Sequence, residues 1–252
     1  MSHKMDTERF KIRYVESKID TPVLWESHCH AQFEMIGVTE GDVSIMIEGK
    51  QYRLTENQAT VIPPLCYHTI TANKRGSYRR VTVLFDPSAV PAPLQDYFAE
   101  STDIAVFYPT HLANLRSICR RPDAGFYHPF AESLMVQSFY EYIEARQKST
   151  ETETDAFLQR SIAYIESHLS EKILLDDLAK FTSRSKSSFC HLFEEKMKIS
   201  PKQYILQKKL ALANRLIRDG VPATVAAMRV GYENYSNFYR VYKRQFQKSP
   251  SR

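Results

Sequence analysis

The chain has 252 residues, more than a single core of roughly 100 to 200 residues needs, with 43% hydrophobic residues and a formal net charge of +5. That composition excludes a disordered chain, no apolar run approaches the roughly 20 residues that cross a bilayer, and the opening MSHKMDTERFKIRY lacks the apolar stretch of an export signal. The charge is uneven: residues 1 to 150 carry 16 Lys and Arg against 18 Asp and Glu, and residues 151 to 252 carry 18 against 11, which directs a polyanion, nucleic acid first, to the second part.

From about Phe10 to Phe85 the sequence reads as short strands: KIRYVES, FEMIGVTE, VSIMIEG, QYRLTE, ATVIPP and RRVTVLFD. They are rich in Val, Ile, Tyr and Phe and are punctuated at Gly41-Asp42, Gly49-Lys50, Pro63-Pro64 and Gly76. Near-regular spacing of such strands predicts a sandwich or barrel over residues 1–90.

Inside this region, His28, His30 and Glu34 of SHCHAQFE share strand parity, so a continuous strand would point all three to one face. His68 in IPPLCYHTI is the obvious fourth group, and three imidazoles with a carboxylate suit Zn, Fe, Mn or Ni. Arg13, Trp25, Gln32, Met46 and Tyr67 complete a candidate effector-binding set, because ligand sites mix apolar walls with few polar groups; ordinary barrel packing is the competing reading of each. The arrangement His28-x-His30-x3-Glu34-x6-Gly41 resembles the first motif of the cupin barrels, and Pro63 to His68 resembles part of the second. Asn57, Leu65 and Ala72 stand where the second motif prefers glycine, glycine and asparagine. The resemblance leaves three readings open: an effector pocket without metal, which is preferred, a metal used for sensing, or a metalloenzyme with a basic appendage. No catalytic residue is assigned, since no Gly-rich phosphate loop and no Ser-His-Asp or Cys-His signature stands out. The expected cofactor is accordingly none, with a divalent metal at His28, His30, Glu34 and His68 as the alternative. Cys29, Cys66, Cys119 and Cys190 lack CxxC spacing and read as reduced thiols of a cytoplasmic protein.

Prolines 87, 91 and 93 end the strand region, and residues 91–147 turn helical in pattern. PFAESLMVQSFYEYIEARQ, residues 129 to 147, predicts a helix carrying Phe130, Leu134, Val136, Tyr140 and Ile143. It either packs on its own barrel or pairs two subunits, and periodicity does not separate the two. KSTETETD is polar and marks a linker over 148–154.

The remainder contains a repeat. FCHLFEEKMKISP (189 to 201) and FYRVYKRQFQKSP (238 to 250) align without a gap at an offset of 49. Phe189, Leu192, Phe193 and Met197 match Phe238, Val241, Tyr242 and Phe246, each set on one helical face. LLDDLAKF and ATVAAMRVGY precede them, giving two predicted helix-turn-helix units, about 174–197 and about 222–247, with Ser185 and Asn234 as N-caps of the second helices. A long helix over 201–218, closed by Gly220, would hold the units apart at the spacing of successive major grooves, about 34 Å. Candidate DNA-binding residues on the outward faces are Ser187, Ser188, His191 and Lys198 in the first unit and Ser236, Asn237, Arg240, Lys243 and Arg244 in the second, Arg240, Lys243 and Arg244 foremost. Arginine bridges guanine, whereas lysine and serine take phosphates.

Residues 155–252 resemble the AraC/XylS family of bacterial transcription regulators. The resemblance rests on Leu178-Ala179, Phe189, Leu192-Phe193, Tyr204, Ala213, Leu216, Ala226-Ala227, Gly231-Tyr232, Phe238, Tyr242-Lys243, Phe246 and Ser249-Pro250. Lys209 stands where the family usually has arginine, and Lys198 and Gln247 where it usually has glycine. The resemblance implies an α+β multidomain fold: an N-terminal cupin-like β-barrel with a helical segment, then an all-α C-terminal domain with two helix-turn-helix units. It also implies the partners: double-stranded DNA, a small-molecule effector in the barrel, a second copy in a homodimer, RNA polymerase, and no membrane.

Overall fold

The stretches FEMIGVTE, QATVI and HTITA are buried along nearly their whole length, so both of their faces find a cover. The computed structural model describes residues 2–21, 28–99, 104–121, 124–148 and 155–250. Trp25, and residues 149–154 of the expected linker, lie outside the described residues. The strands are β1 (Ser2–Asp6), β2 (Phe10–Ile19), β3 (Phe33–Glu40), β4 (Asp42–Ile47), β5 (Lys50–Thr55), β6 (Gln58–Ile62), β7 (His68–Ala72), β8 (Gly76–Phe85) and β9 (Val106–Phe107). One sheet has the order β1-β2-β8-β3-β6-β9 and the other β5-β4-β7.

Strand β3 runs antiparallel between β6 and β8, with Met35 opposite Val61 and Val83. Its odd-numbered Phe33 and Met35 join Phe10, Phe85, Phe98, Phe139 and Tyr142 in one core. Its even-numbered Ile36 and Val38 join Val43, Ile45, Leu54 and Ile70 of the second sheet in another. A strand covered on both faces reads as a continuous apolar run, which is why FEMIGVTE does not alternate. Glu34 has the parity of Ile36 and Val38 and is turned into the barrel with them.

Three elements depart from the sequence reading. β1 pairs along β2 although SHKMD is mostly polar, as suits a short edge strand with one exposed side. β7 begins at His68 itself and pairs with β4. The helical expectation for 91–147 is corrected by β9, whose Phe107 and Val106 pair with Ala59 and Thr60 at that sheet edge. Residue 90 therefore does not bound the barrel. Helices α1 (Ala92–Ala99), α2 (Leu112–Cys119) and α3 (His128–Lys148) close the same core as the large sheet. The inner face of α3 is Ala131, Leu134, Met135, Ser138, Phe139, Tyr142 and Ile143, so the helix packs on its own barrel, while Phe130 and Tyr140 face outward about half exposed.

The C-terminal part comprises α4 (Ala156–Ser167), α5 (Leu175–Phe181), α6 (Lys186–Met197), α7 (Pro201–Arg218), α8 (Ala223–Arg229) and α9 (Tyr235–Phe246). Helix α7 is covered on two sides: Tyr204, Ile205 and Ala211 pack with α4 to α6, and Leu210, Ala213 and Ile217 pack with α8 and α9. Phe189 and Phe238, the equivalent anchors of the repeat, are fully buried, each contributing roughly 2 to 3 kcal/mol by burial alone.

Helices α6 and α9 end alike, on Lys198 at φ 56° and Gln247 at φ 54°, each donating its amide to the carbonyl four residues back. These are left-handed caps, the conformation glycine adopts without a Cβ penalty. We expect Gln247→Gly to raise stability by about 0.5 to 1 kcal/mol, read as a higher urea midpoint with an unchanged slope.

Candidate functional site

The histidine cluster is assembled by a bend, not by strand parity alone. His28 forms an isolated bridge with His68, His28 N donating to His68 O at 3.1 Å and His68 N to His28 O at 3.0 Å. Ala31 and Gln32 then bend the chain into β3, so the continuous strand expected from His28 to Glu34 is interrupted, and the side chains converge nonetheless. The Nε2 atoms of His30 and His68 lie 3.0 and 3.1 Å from the same Oε2 of Glu34, and that of His28 lies 4.0 Å away. Ligand atoms of all four residues fall within 4.8 Å of one another. His68 and Glu34 are buried, His30 is partly covered, and His28 opens to solvent. Burial alone would raise the Glu34 carboxyl, but the adjoining His30 and His68 rings outweigh it and keep the group ionised, well below the usual carboxylate range.

The reverse side of this cluster touches the C-terminal helices. Cys29 and Tyr67, one residue from His28 or His30 and from His68, pack in one core with Leu158, Ile165, Phe193, Met197 and Tyr204. The Tyr67 and Tyr204 rings meet edge to face at 5.5 Å. Burial pushes the Cys29 thiol up to about 12, which leaves it a packing group and not a nucleophile. The β4–β5 turn also enters this interface: Glu48 and Gly49 have φ of 47° and 80°, and a Cβ on Gly49 would lie 2.4 Å from Leu158 Cδ1. Glycine enters this left-handed turn freely and leaves room for Leu158 of α4 to pack on the hairpin.

At the centre of the interface is a buried ammonium. Lys208 of α7 donates to Glu48 Oε1 at 2.9 Å, Leu65 O at 2.8 Å and Glu166 Oε1 at 2.7 Å, while Tyr204 Oη donates to Glu48 Oε2 at 2.6 Å. Burial would lower the Lys208 ammonium, but Glu48 and Glu166 more than offset it and hold it above its ordinary value. A cleft of about 200 Å³ adjoins this network, lined by Glu48, Lys50, Tyr52, Cys66, Ile162 and Glu166 among others. At a second contact between the two parts, Arg218 pairs with Asp86.

Helices α6 and α9 flank α7, and Lys198 at the end of α6 and Arg244 of α9 line a cleft with Tyr67 of the barrel. Ser185 accepts the Ser188 amide at 3.3 Å and Asn234 accepts the Asn237 amide at 3.1 Å, so each helix starts on a side-chain cap. Ser187, Ser188, His191 and Lys198 on the first, and Ser236, Asn237, Arg240, Lys243 and Arg244 on the second, are all exposed. Arg240 rests on Asn237 Oδ1 at 3.1 Å, which aims its guanidinium outward near the helix start. His191 pairs weakly with Glu195 at 3.9 Å, so the first face mixes charges where the second is basic.

Among the sequence candidates for an effector site, His28, His30, Glu34 and His68 are brought together, and Gln32 joins them through its carbonyl, 2.9 Å from His30 Nδ1. Met46 and Tyr67 line the interface with the C-terminal helices instead. Arg13 stands apart, paired with Asp6 across β1 and β2. Glu48, Glu166, Tyr204 and Lys208 were not singled out from sequence as interacting groups. Their only signal is a lysine on the same stripe of α7 as buried Tyr204 and Ala211.

Residues 11–139 match the family described as AraC-like ligand binding domain, and residues 178–252 match the helix-turn-helix domain HTH_18. The HTH-type transcriptional regulator YobQ of Bacillus subtilis is 25% identical over 218 residues, covering 86% of this chain and 83% of that protein. The regulatory protein SoxS of Escherichia coli K12 is 33% identical over 95 residues, 37% of this chain and 89% of SoxS. Among solved structures, ToxT of Vibrio cholerae with an unsaturated fatty acid bound is 12% identical at a TM-score of 0.47, covering 98% of this chain and 95% of that one. Among the described residues no helix is long and apolar enough to cross a membrane.

Proposed function

The chain belongs to the AraC family of transcriptional regulators, in which a ligand-binding domain is joined to a DNA-binding helix-turn-helix domain, and from that premise we propose that α6 and α9 are its paired DNA readers. The observation that carries this reading is the duplicated unit: two capped helices with the same buried anchors, held on either side of one stiff helix, each presenting an exposed polar face. Helix α9 makes the stronger contact, Arg240 to base edges and Lys243 and Arg244 to phosphates or guanine. Helix α6 contributes Ser187, Ser188, His191 and Lys198, chiefly to the backbone.

The barrel is a sensor and not a catalyst, and the protein works in the cytoplasm as a homodimer. The outward aromatics Phe130 and Tyr140 of α3, left uncovered by the barrel, support pairing through that helix. Two DNA-binding domains on paired half-sites gain effective concentration, so dimerisation raises affinity.

Arg240→Ala tests the assignment. We expect binding to a duplex selected by the protein itself to fall by about 1 to 3 kcal/mol while binding to random duplex falls less. Equal loss on both would make Arg240 a phosphate contact, and no loss on either would remove it from the interface.

A further inference from the structure

The two duplicated helices share a frame and differ in what they show. At the offset of 49, Lys186, Cys190, His191, Glu194 and Glu195 of α6 correspond to Tyr235, Tyr239, Arg240, Lys243 and Arg244 of α9. Both lysines of α6 are engaged, Lys186 by Asp176 at 2.9 Å and Lys196 by Asp155 at 2.8 Å, and the exposed Glu194 and Glu195 repel phosphate. Helix α6 thus balances two lysines against two glutamates, whereas α9 carries Arg240, Lys243 and Arg244 and no carboxylate. The second difference is apolar. Tyr235 and Tyr239 stand on successive turns of α9, 38% and 37% exposed. The Tyr235 ring lies 5.9 Å from the buried Phe238 ring and 6.4 Å from the Tyr239 ring. The core therefore fixes Tyr235, Tyr235 backs Tyr239, and the pair forms a ledge that is set before DNA arrives.

Scattered surface tyrosines need no explanation, and these two differ by their position. They occupy the first two turns of α9, the part of a recognition helix that approaches base edges. Tyr239 also directly precedes Arg240, whose guanidinium is aimed outward by Asn237 Oδ1. We propose that Tyr239, backed by Tyr235, is a specificity-determining residue that recognises the C5-methyl group of a thymine within one base step of the guanine taken by Arg240.

Among the four bases only thymine presents a methyl group in the major groove, and apolar and aromatic side chains make the contact with it. Neighbouring helical residues rise about 1.5 Å, and neighbouring bases on a strand about 3.4 Å, so residues 239 and 240 reach the same base pair or adjacent ones. The phenol hydroxyl, at the far end of the ring, can meet a phosphate while the ring covers the methyl. At the equivalent places α6 has Cys190, whose side chain extends one atom beyond Cβ, and His191. The two half-sites therefore differ, and the thymine beside guanine belongs to the α9 half.

This inference rests on α9 being a DNA reader, and the experiment separates the two. Full-length protein selects duplexes from a randomised pool, and fluorescence anisotropy at one fixed salt concentration gives its affinity for the selected duplex. Each thymine is then replaced in turn by deoxyuridine, which lacks only the methyl group. The base pair read by Arg240 is located as the one at which Arg240→Ala no longer discriminates. Expected is a loss of about fourfold at a single thymine beside that pair, the effect of burying one methyl-sized group. Tyr239→Ala should show that loss on the unaltered duplex and no further loss with deoxyuridine, at an unchanged circular dichroism melt. Tyr239→Phe should respond as wild type. The deoxyuridine series on wild-type protein needs no variant, so a variant that folds poorly does not decide the outcome. Indifference of wild type to every thymine beside the pair, or a Tyr239→Ala variant that still loses affinity with deoxyuridine, overturns the methyl contact. Tyr239→Phe behaving as Tyr239→Ala overturns it as well, in favour of a phosphate contact through the hydroxyl. In each of these outcomes a duplex has been selected and the regulator reading stands. A pool that never enriches overturns the assignment of α9 as a reader, and this inference with it.

Discussion

Replacing Lys208 by Met is expected to lower the stability of the full-length protein by about 3 kcal/mol, which for a chain of this size moves the melting temperature down by roughly 6 to 12 °C. Methionine keeps the length and apolar character of the side chain, so the loss is electrostatic. The Lys208 side chain is only 2% exposed and bonds Glu48, Glu166 and Leu65 O; without it Glu48, 18% exposed, is left against Tyr204 with no cation beside it. Glu166 is half exposed and turns to water at little cost. Glu48→Gln in the Lys208→Met background should therefore recover most of the loss, because an apolar and a neutral side chain replace the pair together. Thermal unfolding of the two single variants and the double closes the cycle, and simple additivity would show that the groups do not interact. The variant should also release the C-terminal helices from the barrel, flattening any dependence of DNA affinity on what the barrel binds.

Much of the C-terminal architecture was legible because each helix there carries its own period and its own punctuation. Phe189 and Phe238 announce the buried faces, Ser185 and Asn234 the starts, and the offset of 49 the duplication. The barrel was legible as strands but not as topology. Sequence neighbours β4 and β5 pair, whereas β3 finds β6 and β8, and no local pattern encodes that choice. β9 escaped because two residues cannot show alternation, and β1 because an edge strand needs only one apolar contact, here Met5. In the site, His28, His30, Glu34 and His68 stood out by residue type, and strand parity gave a partial reason for their meeting, the bend at Ala31 and Gln32 supplying the rest. Lys208 was hidden by a sound rule: lysine on a helix surface is nearly always solvated, and only the partner's carboxylate, 160 positions earlier, makes burial tolerable. Lys198 and Gln247, in contrast, could be read as departures before they could be explained. Both hold the left-handed turn that glycine would enter freely.

Gly231→Ala is expected to be the most damaging single methyl in the DNA-binding domain, costing about 3 kcal/mol or more. Gly231 sits at φ 74° just beyond α8, where its amide and that of Tyr232 close the helix end on Met228 O and Ala227 O. An alanine there bears the left-handed penalty of roughly 1 to 2 kcal/mol before any contact is counted. Its Cβ would also lie 2.7 Å from Glu171 O and 2.9 Å from Glu171 C, backbone atoms that cannot swing aside, and 2.8 Å from Lys209 Nζ. That ammonium ties three carbonyls, Leu169 O at 3.0 Å, Glu171 O at 2.5 Å and Val230 O at 2.7 Å, and so joins the segment after α4 to the end of α8. Displacing it leaves buried carbonyls without donors, each at a cost of about 1 to 3 kcal/mol. The damage should be local: hydrogen exchange in α8 and α9 accelerates while the barrel strands keep their protection, and DNA affinity falls because α9 loses its fixed approach. Gly125→Ala is the matched control, since its added Cβ meets nothing nearer than His128 Nε2 at 4.0 Å, and it should stay within about 0.5 kcal/mol of the parent. Comparable losses at both glycines would mean that the contact between Gly231 and Glu171 does not hold the two helix-turn-helix units together, and the rigid placement of α6 relative to α9 would lose its physical basis.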